Sequence, residues 1–264
     1  MRFVSTVIAV IFTLAASTFV VSTLAMSQPA HSADLKVISG GAFKQVLNAL
    51  AAQYEKESGN KIDVTYRTVG QHVELIEDDK ENFDVAILTP DAIAALVKDG
   101  KIVAGSNSDL AKTGVGVVVK QGAPLPDIST VDAFKKALLS AKSVAYIDPK
   151  AGGSSGIYVD GLLKRLGIAD AIQTKAVLVQ GGAVADHVAD GEAEIGVHQI
   201  SEILPVAGVT LVGPLPADIQ NYTTYAAGVG AAAKDAAAAR DFVRFLSGSH
   251  ALPIIKAKGM EPAS

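Results

Sequence analysis

The sequence predicts a two-lobed α/β protein, each lobe a mainly parallel sheet flanked by helices, with the chain crossing twice between lobes. Three features carry this. Short β-rich runs alternate with helical periodicities along the chain, the pattern of strands covered by crossover helices. Roughly 230 residues follow an apolar N-terminal segment, more than one compact core usually holds and enough for two lobes of about 100 residues each. Near the middle, Gln121-Gly-Ala-Pro-Leu-Pro126 breaks the regular pattern and marks a place to cross.

In order, residues 35–39 read as a short strand and Gly40-Gly41 as a turn. Phe43, Val46, Leu47, Leu50 and Tyr54 then recur at helical spacing until Gly59 stops them. Ile62, Val64 and Tyr66 alternate with Asp63 and Thr65 in a second strand, and 83–88 form a third. Thr89 is placed to cap the next helix, with Pro90 in its first turn, where a missing N–H costs nothing, and Gly100 at its end. Residues 115–119 form an apolar strand. Ser129 is placed for a capping box with Asp132, and a strand at 143–147 follows.

Gly152-Gly-Ser-Ser-Gly156 opens a helix carrying Tyr158, Leu162 and Leu166 and ending at Gly167. Strands at 176–179 and 194–197 are separated by a helix that Gly181-Gly182 introduces. Residues 223–229 are a return crossing, and 231–246 a C-terminal helix with Phe242, Phe245 and Leu246 inward. The expected division is 34–113 with 230–264 in the first lobe and 114–229 in the second, hinged near 113–119 and 223–230.

Before these lobes, Arg2 precedes an apolar run diluted by Ser5, Thr6, Thr13, Ser17, Thr18, Ser22 and Thr23, which reads as a secretory signal and not as a spanning helix. Small-residue exits end at Ala25 and Ala33. Residues 1–33 are the expected signal, with cleavage after Ala25 or retention as an anchor as alternatives, and the expected location is the periplasm. The chain has no cysteine, which excludes disulfides, thiolate zinc sites, thiol catalysis and lipidation of an N-terminal cysteine. Without Arg2 the balance is 22 basic to 27 acidic residues, so no nucleic-acid partner is expected. His72, His187, His198 and His250 show no chelating spacing, and Gly114-Val-Gly116 lies inside a β run; no metal, dinucleotide or other cofactor is expected.

Three strand-to-helix junctions carry small and hydroxyl residues: Ser39-Gly40-Gly41-Ala42, Thr89-Pro90-Asp91 and the segment containing Ser154, Ser155 and Gly156. A helix start exposes unpaired N–H groups and the positive end of the helix dipole, and small residues let an anion approach them. In most proteins the same residues are ordinary caps. Position favours a ligand here, because open α/β sheets bind at the carboxyl ends of their strands. Arg67, Thr68, Gly70 and Gln71 follow the second strand to the same edge, and His198 and Gln199 follow the strand at 194–197. An arginine after a strand is more often a surface ion-pair partner, although its planar fork suits a carboxylate.

Gly152-Gly-Ser-Ser-Gly156 also satisfies G-x-S-x-G around Ser154, the elbow of serine hydrolases, with Asp186 or Asp190 and His198 or His250 as partners. That elbow should join its strand directly, whereas Asp148-Pro-Lys-Ala151 intervenes. A non-enzymatic binding role is therefore expected, with an exported hydrolase as the rival.

Several segments in order carry a resemblance: Val37-Ile-Ser-Gly-Gly-Ala42, Asp84-Val-Ala-Ile-Leu-Thr-Pro90 leading to Leu96 and Gly100, Gly191-Glu-Ala-Glu-Ile-Gly196 leading to Leu215-Pro216, and Phe242-Val-Arg-Phe-Leu246. From Leu35 to Pro262 the chain resembles the type II periplasmic solute-binding proteins, in their molybdate-binding-like branch. The resemblance implies a protein that delivers a small anion, an oxyanion or a carboxylate, to an inner-membrane ABC transporter permease, and a monomer is expected. It implies ligand contacts at Ser39 and Gly41, at Thr68 or Gly70, and from Ser154 to Gly156. Molybdate or tungstate is the alternative within this class. Molybdate binders commonly carry a tyrosine where this chain has His198 and a serine-rich second turn where it has Arg67-Thr-Val-Gly-Gln71, and both departures favour carboxylate groups.

Overall fold

The computed structural model of the protein describes residues 32–263. Most of the expected export segment lies outside the described residues. Its last two residues do not. Ser32 Oγ donates to the Gly59 carbonyl at 2.8 Å, the Ala33 N–H donates to Asn60 Oδ1 at 2.9 Å, and the Lys61 N–H donates to the Ala33 carbonyl at 2.8 Å. A chain beginning at Asp34 would lose all three.

Strands β1 (Asp34–Gly40), β2 (Lys61–Arg67) and β3 (Val85–Leu88) are parallel, with β1 between the other two. The next strand, β4 (Ser108–Lys120), is much longer than the 115–119 run expected. Farther along the chain come β5 (Val144–Ile147), β6 (Ala176–Val179) and β7 (Ile195–Gln199), parallel to one another with β5 central. Strand β8 (Val209–Pro214), β9 (Tyr222–Val229) and the short β10 (Glu261–Pro262) complete the set among the described residues.

The parallel strands form the outer part of each lobe's sheet, and antiparallel strands join them. Strand β9 runs antiparallel to β3 on one side and to the first half of β4 on the other, through Ser108–Gly114. The second half of β4, Val115 onward, leaves β9 and pairs antiparallel with β7 and β8. One strand thus belongs to both sheets, and the change of partners falls at Gly114 and Val115, inside a strand and ahead of the Gly/Pro-rich segment. Gln220 holds this point from the returning chain: its Oε1 accepts from the Val115 N–H and its Nε2 donates to the Val115 carbonyl, both at 2.9 Å. A bidentate amide thus supplements the backbone bonds of Val115, whose N–H also donates to the Asn221 carbonyl at 3.3 Å and whose carbonyl also accepts from the Leu215 N–H at 3.0 Å.

The helices cover both sheets. Around the first sheet lie α1 (Lys44–Ser58), α2 (Val69–Glu77) and α3 (Pro90–Lys98). Around the second lie α4 (Val131–Ser140), α5 (Ser154–Arg165), α6 (Ala169–Gln173), α7 (Val184–Ala189) and α8 (Ile200–Ile203). The chain then returns to the first with α9 (Ala236–Leu246) and α10 (Ala251–Ala257). One apolar cluster joins Phe43, just before α1, and Leu47, Leu50 and Tyr54 of α1 to Phe242 and Leu246 of α9, whereas Phe134, Leu138, Val159, Leu162 and Val197 belong to another under the second sheet.

Local chemistry explains where elements start and stop. Helix α1 ends at Gly59 in the left-handed region, φ 77°, as Gly at that position allows. Helix α4 starts one residue later than expected: Thr130, not Ser129, caps it by accepting from the Ala133 N–H, because the Ser129 N–H is held by Asp127. The last long helix starts at Ala236, where Asp235 accepts from the Ala237 and Ala238 N–H groups, and not at 231.

Candidate functional site

The carboxyl ends of β1, β2, β5, β6 and β7 open on one cavity of about 940 Å³ between the two sheets. Of the residues singled out in the sequence, Gly40, Gly41, Arg67, Thr68, Ser154, Ser155, His198 and Gln199 line it. Four others do not. Ser39 is fully buried, its Oγ donating to the Gly40 carbonyl and its own carbonyl 3.2 Å from His72 Nε2. Gly156 lies against the Ile147 carbonyl, where a Cβ would collide, so it lets α5 seat on the end of β5. Thr89 heads α3 without capping it through its side chain; at the cavity, the neighbouring strand β9 presents Tyr225 instead.

Gly70 is committed elsewhere. Its N–H donates to the Gly152 carbonyl at 3.0 Å, and Thr68 Oγ1 donates to the Ala151 carbonyl, so the start of α2 bears directly on the segment before α5. A Cβ on either glycine would meet the other's Cα at 2.7 Å. Thr68 also accepts from the Gln71 N–H in a complete capping box. The amides expected to bind an anion at the second turn are therefore satisfied within the protein. The two other starts differ: neither Gly40, before the turn Gly41–Phe43, nor Gly153, before α5, supplies a side-chain cap. Both face the cavity.

The floor of the cavity is polar and buried. His198, Gln199 and Ser201 are 1, 2 and 1 % exposed. Yet His198 Nδ1, Gln199 Nε2 and Ser201 Oγ, buried atoms of three residues that line the cavity, have no hydrogen-bond partner. Leaving such atoms unmade costs about 1 to 3 kcal/mol each, so a cluster of them at one cavity points to a polar guest. Tyr225 Oη donates to Gln199 Oε1 at 3.3 Å, and burial pushes the phenol's pKa up and keeps it neutral.

Charge in the cavity is sparse and unevenly placed. Arg67, the expected carboxylate fork, is held by Glu81 at 2.8 Å, and Glu81 also meets His72 Nδ1 at 2.6 Å. Burial lowers the pKa of His198 to about 3, so near neutral pH it offers an uncharged ring and no cationic charge. Four residues on, Glu202 points its Oε2 to within 3.4 Å of His198 Nε2, and its Oε1 fills the space a Cβ on Gly41 would need, 2.6 Å away. Burial raises the Glu202 pKa to about 8, against the pull of the Lys44 charge. The carboxyl is therefore mainly protonated at neutral pH and can donate a hydrogen bond.

Sequence reasoning missed Lys44, Ser201, Glu202 and Tyr225. The spacing of Glu202 four residues after His198, directly beyond a strand, was a visible signal for one of them. Tyr225 reaches the cavity only because β9 inserts between β3 and β4. The serine-hydrolase constellation is not assembled: a 3-10 turn at Pro149–Ala151 separates β5 from α5, His198 Nε2 faces Glu202 and not Ser154, and His250 packs on Phe245 at the start of α10.

The sequence model of the family described as bacterial extracellular solute-binding protein matches residues 35–261. A protein named aconitate isomerase, from a Pseudomonas species, is 33 % identical over 233 residues, 86 % of this chain and 87 % of that one. The molybdate-binding protein of Azotobacter vinelandii is 28 % identical over 244 residues, covering 87 % of this chain and 90 % of its own length. A solved structure of the Azotobacter vinelandii periplasmic molybdate-binding protein, at 22 % identity, superposes with a TM-score of 0.73 over 86 % of this chain and 98 % of that one.

Two outcomes follow from the geometry. Gly152→Ala should destabilise the protein more than Gly167→Ala in chemical denaturation, because both glycines have left-handed φ, 70° and 67°, but only Gly152 has a backbone against its absent Cβ. The strain common to both is about 1 to 2 kcal/mol. For Glu202, the folded state keeps a proton that the unfolded state releases near pH 4.5, so stability falls as pH rises toward 8. His198, unfolded pKa 6.5 and folded about 3, acts oppositely but only below about pH 6.5. Between pH 6.5 and 8 the wild type should lose up to about 2 kcal/mol that Glu202→Gln keeps, since one proton is worth about 1.4 kcal/mol per pH unit.

Proposed function

The chain belongs to the bacterial extracellular solute-binding proteins, and from that premise we propose that it captures a small anion bearing two or three carboxylates and presents it to an inner-membrane ABC importer. The observation that carries this reading is the buried trio His198 Nδ1, Gln199 Nε2 and Ser201 Oγ at one cavity, without protein partners. The uncapped starts before Gly41–Phe43 and α5 add backbone donors, and Lys44 adds a charge. Neutral donors hold an anion without the desolvation cost of a buried counter-charge.

The choice of carboxylates over molybdate, tungstate or another tetrahedral oxyanion rests on size and on the acid in the floor. A cavity of about 940 Å³ lies at the upper end of the range for small organic ligands, and a four-oxygen anion would leave most of it to water. Protonated Glu202 can donate to a carboxylate. Its ionised form repels one, so affinity falls as pH rises through about 8.

In this reading the two sheets are the lobes, turning about Gly114–Val115 and the Gln220 clasp, and the Thr68 and Gly70 contacts with Ala151 and Gly152 belong to the closed form. Export as a monomer to the periplasm, with processing upstream of Ser32, for which Ala25 is the available exit, leaves the Ser32 and Ala33 bonds intact. A second reading is favoured by the Glu202 carboxyl at the cavity: the protein rearranges the bound carboxylate, as the name of the Pseudomonas relative suggests. It shares its ligand class with the first.

Citrate, tricarballylate and trans-aconitate at millimolar concentration should raise the melting temperature at pH 7, with molybdate and sulfate giving less; a hundredfold excess over Kd is worth about 2.7 kcal/mol. A shift from molybdate alone would overturn the carboxylate reading.

A further inference from the structure

We infer that Glu202 is a catalytic residue, the single acid–base group of a 1,3-proton shift on an unsaturated polycarboxylate held against Gln199, Ser201 and Lys44. The inference rests on the carboxylate-binding reading and goes further, since a binder needs no proton carrier.

In a passive anion site a carboxyl group is a liability, because every ionised molecule of it repels the guest. Here one stands on the cavity wall with its side chain 15 % exposed, one oxygen in the space that a Cβ on Gly41 would need and the other 3.4 Å from His198 Nε2. His198 is too acidic to compete for its proton at neutral pH, and the phenol of Tyr225 stays neutral. Glu202 is left as the cavity's buried group that changes protonation near neutrality, the property a general base requires. The other charged residues that line the cavity are Lys44 from α1, Arg67 from β2, and Asp186 and Asp190 from α7 and its end.

The chemistry balances without a co-reactant. Ionised Glu202 removes a proton from the CH₂ next to the double bond. The electron pair moves into the new C=C bond, and the old π bond delocalises onto the adjacent carboxylate. Gln199 Nε2, Ser201 Oγ and the Lys44 charge receive that developing negative oxygen. Glu202 then returns the proton to the far carbon of the former double bond. The net change is one hydrogen moved over three carbons, with no oxidation and no leaving group. The CH₂–C bond becomes the new double bond, so the way that bond is turned when the proton leaves decides whether the cis or the trans isomer forms.

The test incubates the full-length protein with cis-aconitate or trans-aconitate in deuterated buffer and follows isomer ratio and deuterium at the CH₂ by proton NMR, with melting shifts measured on the same samples. Wild type should exchange and interconvert the isomers, at a rate rising about tenfold per pH unit up to about pH 8 and level above. Glu202→Gln keeps a hydrogen-bond donor and loses the base, so it should retain the melting shift and lose about a hundredfold or more of the rate. Melting shifts without exchange in the wild type would overturn the proposal and leave carboxylate binding standing. Equal rates in both proteins would also overturn it, and the absence of both shift and exchange would remove both readings together.

Discussion

The sharing of one strand between two sheets is the constraint from which the site follows. Because β4 pairs with β9 up to Gly114 and with β7 and β8 from Val115, the two sheets are joined by a continuous backbone, and Gln220 clasps the joint. The parallel strands on either side then end at a common opening. Anion-binding potential at their ends is a property of the backbone, common to helix starts in general. What is particular to this protein is which starts remain free. The one at α2 closes on its own cap and on Gly152, while those beginning at Gly41 and at α5 do not.

Burial then decides the electrostatics. The residues that look most ionic in the sequence contribute least free charge: Arg67 is paired with Glu81, and His198 is desolvated into its neutral form. Glu202, which looks like a repulsive acid, is neutral for the same reason. Apart from Asp186 and Asp190 at α7, the cavity therefore presents a mostly uncharged set of donors around Lys44, suited to a guest that brings its own negative charge. The same desolvation gives Glu202 a proton it can release and recover within the cavity.

Much of the fold was legible because its signals are local. Alternation in Ile62–Val64–Tyr66, the periodicity of Val46, Leu47, Leu50 and Tyr54, and the stops at Gly59 and Gly167 each depend on neighbours in sequence. The short helices escaped: α6 and α8 have too few residues for a helical period to show, and 108–114 of β4 carries Asp109 and Lys112 in a strand whose partner lies more than 100 residues away. In the site, glycine and serine at strand ends were readable as small residues near a helix start. Whether each faces a cavity or a neighbouring carbonyl was not, as Gly70 and Gly156 demonstrate. Tyr225 and Ser201 carry no local mark at all; tertiary pairing alone brings them to the floor.

The central claim, that the buried donors of β7 and α8 hold a carboxylate-bearing guest, is tested most directly by a crystal structure of the protein grown with tricarballylate, a saturated tricarboxylate that cannot undergo the proton shift. The account predicts carboxylate oxygens within hydrogen-bonding distance of Gln199 Nε2 and Ser201 Oγ, with another near Lys44. A guest bound elsewhere, or the trio satisfied by turned side chains with no guest between the lobes, would contradict it.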